Sequence, residues 1–432
     1  MSIDNRIALI NGNIFNGIKF KKGIILIKKN LIEKVKFDSD CIIPKEYKII
    51  DCSDKLISYG FIDPHVHFRS PGMEHKEDWK TGSRSALKGG YTFVIDMPNT
   101  NPPTVDWTSL LNKYLIAKSA SIINFGFHLG LTEDNVGSLS KIFNKAKKNS
   151  IPLYGIKVFF GSSTGQLLVN STKTIEKSLK TGIINLFHAE NETLIKAHED
   201  IIYKSVADHN IKRPPEAEVS AIKIICKIIK QIKNSKGYIC HISTKNGIKS
   251  IIKGNNKKVL TEVTPHHLFF CTDNITDSNI FKVNPPIRDY NDNLYIRKMF
   301  NKGKISVIGT DHAPHLLIEK QSDNPPSGLP GLETSVISLL SLYEMGILRI
   351  ENIFKSLTNG YKIFNIKKRG KIKKGNIADL TIIKKENFRY NLAERETKAD
   401  FSPFEGTDFS YKIDMVIING KILLKEGCIN DG

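Results

Sequence analysis

Apolar and polar positions alternate in two rhythms along this chain. Over the first 55 residues, IALINGNIF, GIILIKK, LIEKVKF and YKIIDCS read as short strands separated by Gly, Asn and Lys. The end of the chain, ADLTIIKK and then YKIDMVIINGKILLKEG, has the same texture. Neither piece can bury much surface alone, so the two are expected to pair into one small β-domain, a sandwich built from both termini. Between them, eight largely apolar strand segments alternate with helical stretches. The strands are GFIDPHVHF (60–68), YTFVIDMPN (91–99), INFGFHLGL (123–131) and YGIKVFFG (154–161), then IINLFHAEN (183–191), GYICHIST (237–244), KVLTEVTPHH (258–267) and KISVIGTDH (304–312). Most intervals carry a helical period, as in EDWKTGSRSALKGG and EAEVSAIKIICKIIKQIK. Eight such units predict an α/β fold, a (β/α)8 TIM-like barrel. A doubly wound sheet would want a Gly-rich phosphate loop after its first strand, and GFIDPHVHFRSPG has none. The expected boundaries are 1–55 and 369–432 for the small domain and 56–368 for the barrel.

The first barrel strand carries the first chemistry. Ile62, Pro64, Val66 and Phe68 alternate with Asp63, His65, His67 and Arg69. On a strand, residues two apart share a face, so His65 and His67 project together with Arg69 one step further on. Two neighbouring neutral imidazoles can hold one divalent metal from one side.

Composition narrows the picture without redirecting it. The net charge of +20 could suggest a polyanion partner. The lysines are scattered, however, with no aromatic-interleaved basic stripe, so a solvated lysine-rich surface is the favoured reading and no specific nucleic-acid partner is expected. No apolar run is long enough to cross a bilayer, and the start lacks the pattern of a signal peptide, which predicts a cytoplasmic protein with no membrane partner. Cys41, Cys52, Cys226, Cys240, Cys271 and Cys428 form no C-x-x-C spacing and read as reduced thiols. Cys240 precedes His241 and, as its strand neighbour, is expected to face away into packing. The long loops GSSTGQLLVNS and HLLIEKQSDNPPSGLPGLET follow the fourth and eighth strands, on the face where barrels keep their chemistry. Loops of that length serve as lids or substrate contacts, or are plain surface insertions.

The remaining ligand-type residues fall near strand ends. Strand four gives Lys157, strand five His188, strand six His241 and strand eight Asp311. A barrel gathers these ends on one rim. Lys157 is the odd member, because an ammonium repels a metal. Burial beside cations favours the free amine of a lysine, and an amine can add carbon dioxide to form an anionic carbamate. The inferred site holds one metal on His65, His67 and Asp311 and a second on His188 and His241, with the Lys157 carbamate and a hydroxide bridging them. Two-His sites with a bridging oxyanion suit zinc, with manganese or cobalt as substitutes.

The order of these residues and the words around them resemble the amidohydrolase superfamily, most closely the dihydroorotase family of the long bacterial type. The words are DPHVHFRSPG, DMPNT, GIKVFFGSSTG, HAEN, HIST, EVTPHHL, NPPIR and GTDHAPH. The tail GKIKKGNIADLTII looks like that family's return into its small sheet. The resemblance covers nearly the whole chain and implies a metal-dependent hydrolase barrel that opens and closes a cyclic amide. One related group carries Asp in place of the bridging lysine; this chain keeps Lys157. Ser70 stands where many relatives carry Glu. The implied reaction interconverts dihydroorotate and N-carbamoyl-aspartate, with Asp311 as both ligand and general acid/base. Arg69 suits the free carboxylate of that substrate as a bidentate fork. The resemblance adds Asn99 and His315 as carboxylate partners, and Asn284 is a further candidate substrate contact. His128, His266 and His267 are expected to support or pack. Allantoinases and dihydropyrimidinases are the nearest rivals, and their substrates lack this carboxylate. A non-catalytic partner protein on the same fold is a rival of another class. A homodimer is compatible with the sequence, which specifies no oligomeric state.

Overall fold

The structure, a computed structural model, describes residues 5–38, 42–162, 167–276 and 278–430. Cys41 and residues 163–166, part of the loop expected after the fourth barrel strand, lie outside the described residues. Eight parallel strands follow one another in chain order: Phe61–Val66, Tyr91–Asp96, Asn124–Gly130, Leu153–Phe159, Ile184–His188, Lys236–Ile239, Val259–Val263 and Val307–Ile308. A single bridge from Val66 to His312, four residues past the last strand, brings the two edges together and nearly closes the barrel. The strands are apolar on both sides because both sides are covered. Ile62, Phe93, Ile95, Leu186, Tyr238 and Val307 fill the interior. Phe61, Val94, Val158, Phe187, Ile239 and Ile308 meet the helices outside. Tyr361 and Phe364, from the short helix Gly360–Ile363 and its end, pack into the interior cluster.

Two details differ from the expected strands, and both shape the site. Ile62 faces the interior while Val66 and Phe68 face the helices, so strict alternation fails between them. The pairing register slips at that point, between Asp63 and Val66. This bulge re-phases the strand and turns His65 and His67 inward. The eighth strand is only two residues long, Val307–Ile308, rather than the nine of KISVIGTDH. Beyond it, Thr310 leaves the ladder because its backbone N–H and hydroxyl bond the buried Asp63 carboxylate.

The second sheet has nine strands drawn from both ends of the chain. Leu56–Tyr59 sits at its centre, parallel to Arg6–Phe15 and antiparallel to Leu380–Arg389. Side chains from both halves, among them Ile7, Ile25, Ile57, Leu380, Met415 and Ile417, share one core, which gives the sandwich its stability. Ile57 carries Leu56–Tyr59 into this core, so the chain changes sheets at Gly60, after the expected boundary at 55. A Cβ at Gly60 would lie 2.2 Å from Thr92 Oγ1, so the crossing point needs glycine. No described helix is long and apolar enough to cross a membrane.

Candidate functional site

His65, His67, Lys157, His188, His241 and Asp311 meet at the C-terminal mouth of the barrel in one chain of contacts. Asp311 Oδ1 lies 3.2 Å from His65 Nε2 and 3.0 Å from His67 Nε2. Lys157 Nζ is 3.4 Å from His65 Nε2. His188 Nδ1 is 3.0 Å from His241 Nε2. The His65 and His241 rings, 5.4 Å apart between centroids, link the two halves. Three backbone turns set this convergence. Arg69, His241 and Asp311 have φ of 61°, 32° and 51°, a left-handed conformation that side-chain-bearing residues adopt at a cost of about 1–3 kcal/mol. Arg69 therefore does not continue the row begun by His65 and His67; it turns away at the strand end. His241 likewise leaves its strand, so Cys240 does not face away from the site. Its Sγ lies 3.3 Å from Lys157 Nζ while it packs in the barrel interior.

Three of the four imidazoles are oriented from behind, and His241 is held through its backbone. Glu262 accepts from His65 Nδ1 at 2.8 Å and from the backbone N–H of His241 at 2.8 Å. Asn99 Oδ1 accepts from His67 Nδ1 at 2.7 Å. Glu190 accepts from His188 Nε2 at 2.8 Å and is itself held by Arg213 Nε at 3.1 Å. Glu190 can only accept, so His188 Nε2 carries the proton and its neutral ring keeps a lone pair on Nδ1; His65 stands between two carboxylates, Glu262 at Nδ1 and Asp311 at Nε2, and His67 between Asn99 and Asp311. Burial pushes His67 down to about 3 and lowers His188 and His241, so these rings are neutral. Burial also opposes charge on His65, but Glu262 and Asp311 outweigh it and push that ring up to about 10. Burial alone would raise the Asp311 carboxyl; His65 and the other imidazoles hold it well below the usual range.

Atoms of metal-ligand type gather in pairs at the mouth. His65 Nε2 and His67 Nε2 converge on Asp311 Oδ1, and His188 Nδ1 stands opposite His241 Nε2. Nitrogen and oxygen atoms about 3 Å apart have the spacing of neighbouring ligands on one cation with bonds of about 2 Å. The ligand atoms of His65, His241 and Asp311 also lie within 4.8 Å of one another. The donor set therefore fits divalent metal.

Beside the ligands is a cleft lined by His67, Arg69, Asn99, Asn284, Asp311 and Ser327. Arg69 is buried; Nε donates to Pro314 O at 3.2 Å, Nη2 lies 3.1 Å from His315 Nε2, and Nη1 has no partner among the described residues. Asn284 Oδ1 accepts from Ser327 Oγ and from His209 Nε2 at 3.0 and 2.9 Å. His315 stands behind Arg69, its Nε2 also 3.2 Å from Ser327 O. Ser70 donates to Glu74 at 2.9 Å, so a carboxylate reaches this turn from four residues on. His128 and His267 bond the carbonyls of Pro64 and Pro285, each at 3.1 Å, and hold backbone.

Sequence reasoning missed Glu262, Glu190 and Arg213. Glu262 had a visible signal, a charged residue inside the apolar strand KVLTEV, and Glu190 lies two residues past His188. Arg213 had none. Gly309 was missed as well. A Cβ there would lie 2.4 Å from Glu262 Oε2 and 3.0 Å from His65 Cβ. Gly309→Ala is expected to cost about 1–3 kcal/mol in a denaturant melt and to displace the Glu262–His65 pair. A variant as stable as wild type, with full metal content, would show that the pair tolerates crowding.

These features define a (β/α)8 hydrolase barrel with a cluster of metal-ligand-type residues at its mouth, and the chain belongs to the amidohydrolase family, whose profile matches residues 56–154 and 170–423. Among its relatives, a dihydroorotase of Methanosphaera stadtmanae is 34% identical over 419 residues, covering 93% of each chain. A dihydroorotase of Pyrococcus abyssi is 33% identical over 422 residues, covering 97% of this chain and 93% of that one. Among solved structures, an L-hydantoinase (dihydropyrimidinase) from Arthrobacter aurescens superposes with a TM-score of 0.91 at 22% identity, over 99% of this chain and 98% of that one. That likeness concerns the fold.

Proposed function

We propose that the protein is a dihydroorotase, interconverting dihydroorotate and N-carbamoyl-aspartate in cytoplasmic pyrimidine biosynthesis. The observation that carries the reading is the cleft. Arg69, Asn99 and Asn284 line the same space as His67 and Asp311, so a carboxylate reader stands beside the ligand cluster. Dihydroorotate carries a carboxylate for that reader; allantoin and dihydrouracil do not. The full-length relatives named dihydroorotase support the same choice.

In this reading His65, His67 and Asp311 would hold one divalent cation and His188 and His241 a second, both zinc-compatible donor sets, and N-carboxylated Lys157 would serve as a further ligand. When bound, such a pair lowers the pKa of water toward about 7 and polarises the amide carbonyl. Asp311 takes the water proton at a carboxylate oxygen as the new C–O bond forms at the ring carbonyl carbon. It returns that proton to the ring nitrogen as the C–N bond breaks, so dihydroorotate plus water becomes N-carbamoyl-aspartate. The reverse step moves the same proton back. Arg69 orients the substrate through its carboxylate, with unpartnered Nη1 as an available donor.

The deciding experiment compares ring opening of dihydroorotate, allantoin and dihydrouracil by one preparation, with elemental analysis of the same sample. Dihydroorotate should be turned over fastest, with about two divalent ions per chain. Preference for either neutral substrate would overturn the assignment. Arg69→Ala should raise KM for dihydroorotate by about 100-fold and leave bound metal intact. A matching loss of metal would make Arg69 structural.

A further inference from the structure

A strap that walls the cleft is tied down by a residue the chemistry above does not use. After His315 the chain makes one helical turn, Leu317–Lys320, and residues 325–328 then return inward. Ser327 and Gly328 line the cleft beside Arg69 and Asp311. Lys320 is fully buried, and its Nζ donates to the carbonyls of Lys282, Pro326 and Gly328, each at 3.0 Å. An ammonium has three N–H donors, so all of them are engaged. Lys282 reinforces the strap: its Nζ donates to Pro325 O at 2.7 Å, and its carbonyl accepts from Gly328 N at 2.9 Å. The Ser327 carbonyl lies 3.2 Å from His315 Nε2, so every carbonyl from 325 to 328 meets a side chain. Burial, with the Lys282 charge adding to it, pushes Lys320 down to about 7. A buried charge held by carbonyls is costly, and an apolar residue would pack the same space more cheaply. The strap explains the lysine, since without it the inward carbonyls of Pro326 and Gly328 would lose their donor.

We propose that Lys320 is a positioning residue for substrate: it holds residues 326–328 against the cleft, so that Ser327, with Asn284 and His315 bonded to it, faces the carboxylate end of the cyclic amide. This rests on reading the cleft as a carboxylate pocket. Lys320 touches neither substrate nor ligand cluster, so its loss should be felt in binding and strap motion and not in metal content.

Lys320→Met keeps the length and removes the donors. Compared with wild-type holoenzyme, it should exchange amide hydrogens faster over residues 321–331. Its KM for dihydroorotate should rise about tenfold, with kcat within about twofold and metal content unchanged. Lys320→Gln, which keeps two N–H donors, should fall between the two and serves in its place if the Met variant does not fold. Wild-type exchange in the strap, an unchanged KM, loss of metal, or failure of both variants to fold would overturn the proposal. If wild type ignores dihydroorotate, the substrate reading fails separately, and the exchange measurement still judges Lys320.

Discussion

Asp311→Ala is expected to fold and to lose dihydroorotate turnover by about 10³-fold or more. The carboxylate sits where two functions coincide. Its Oδ1 faces the Nε2 atoms of His65 and His67 at 3.2 and 3.0 Å, and the same side chain borders the cleft that holds Arg69. The imidazoles keep it ionised, so it can take a proton from water and give it to a leaving nitrogen. No other carboxylate among those described here can replace it. Glu262 is occupied by His65 Nδ1, Tyr238 and the His241 backbone, and Glu190 by His188 and Arg213. The backbone around position 311 is held independently, through Thr310 on Asp63 and the His67 N–H on His312 O at 2.9 Å. A thermal melt should therefore show a folded variant. Near-normal turnover would mean that another group carries the proton.

Much of this site was legible because its chemistry demands particular side chains at particular strand ends. His65, His67, Lys157, His188, His241 and Asp311 are all polar or titratable interruptions in apolar segments, and a barrel leaves such groups one place to meet. The barrel strands were legible for the same reason, as covered strands read as apolar runs. What escaped is what tertiary closure decides. The bulge at Asp63 and Pro64 depends on pairing with the second strand and on Thr310 arriving from the far end of the chain. The left-handed turns at Arg69, His241 and Asp311 have no local signature, since none of the three is glycine. Arg213 and Lys320 look like any other basic residues in a chain with 64 of them, and only their burial separates them.

Lys157→Ala is expected to remove activity, by about 10³-fold, and to lower bound metal in the same preparation. Lys157 is 1% exposed, and its Nζ faces His65 Nε2 at 3.4 Å, Cys240 Sγ at 3.3 Å and the Phe159 ring at 5.1 Å. None of these is a carboxylate, so an ammonium there would stand beside a cation site with little to offset it. Addition of carbon dioxide to the amine, with release of one proton, turns that liability into an anion with two oxygens. In the proposed reading that anion would stand against His65 and offer its oxygens to the ligand cluster, which an ammonium cannot do. An alanine leaves the corresponding space open, so small carboxylic acids such as formate or acetate should restore part of both metal content and turnover. Rescue of both together separates this role from simple core packing, which a soluble acid would not repair. Carbon dioxide depletion during metal reconstitution of the wild-type apoprotein should lower recovered activity in parallel. Full activity in Lys157→Ala would end the carbamate proposal, whatever the substrate proves to be.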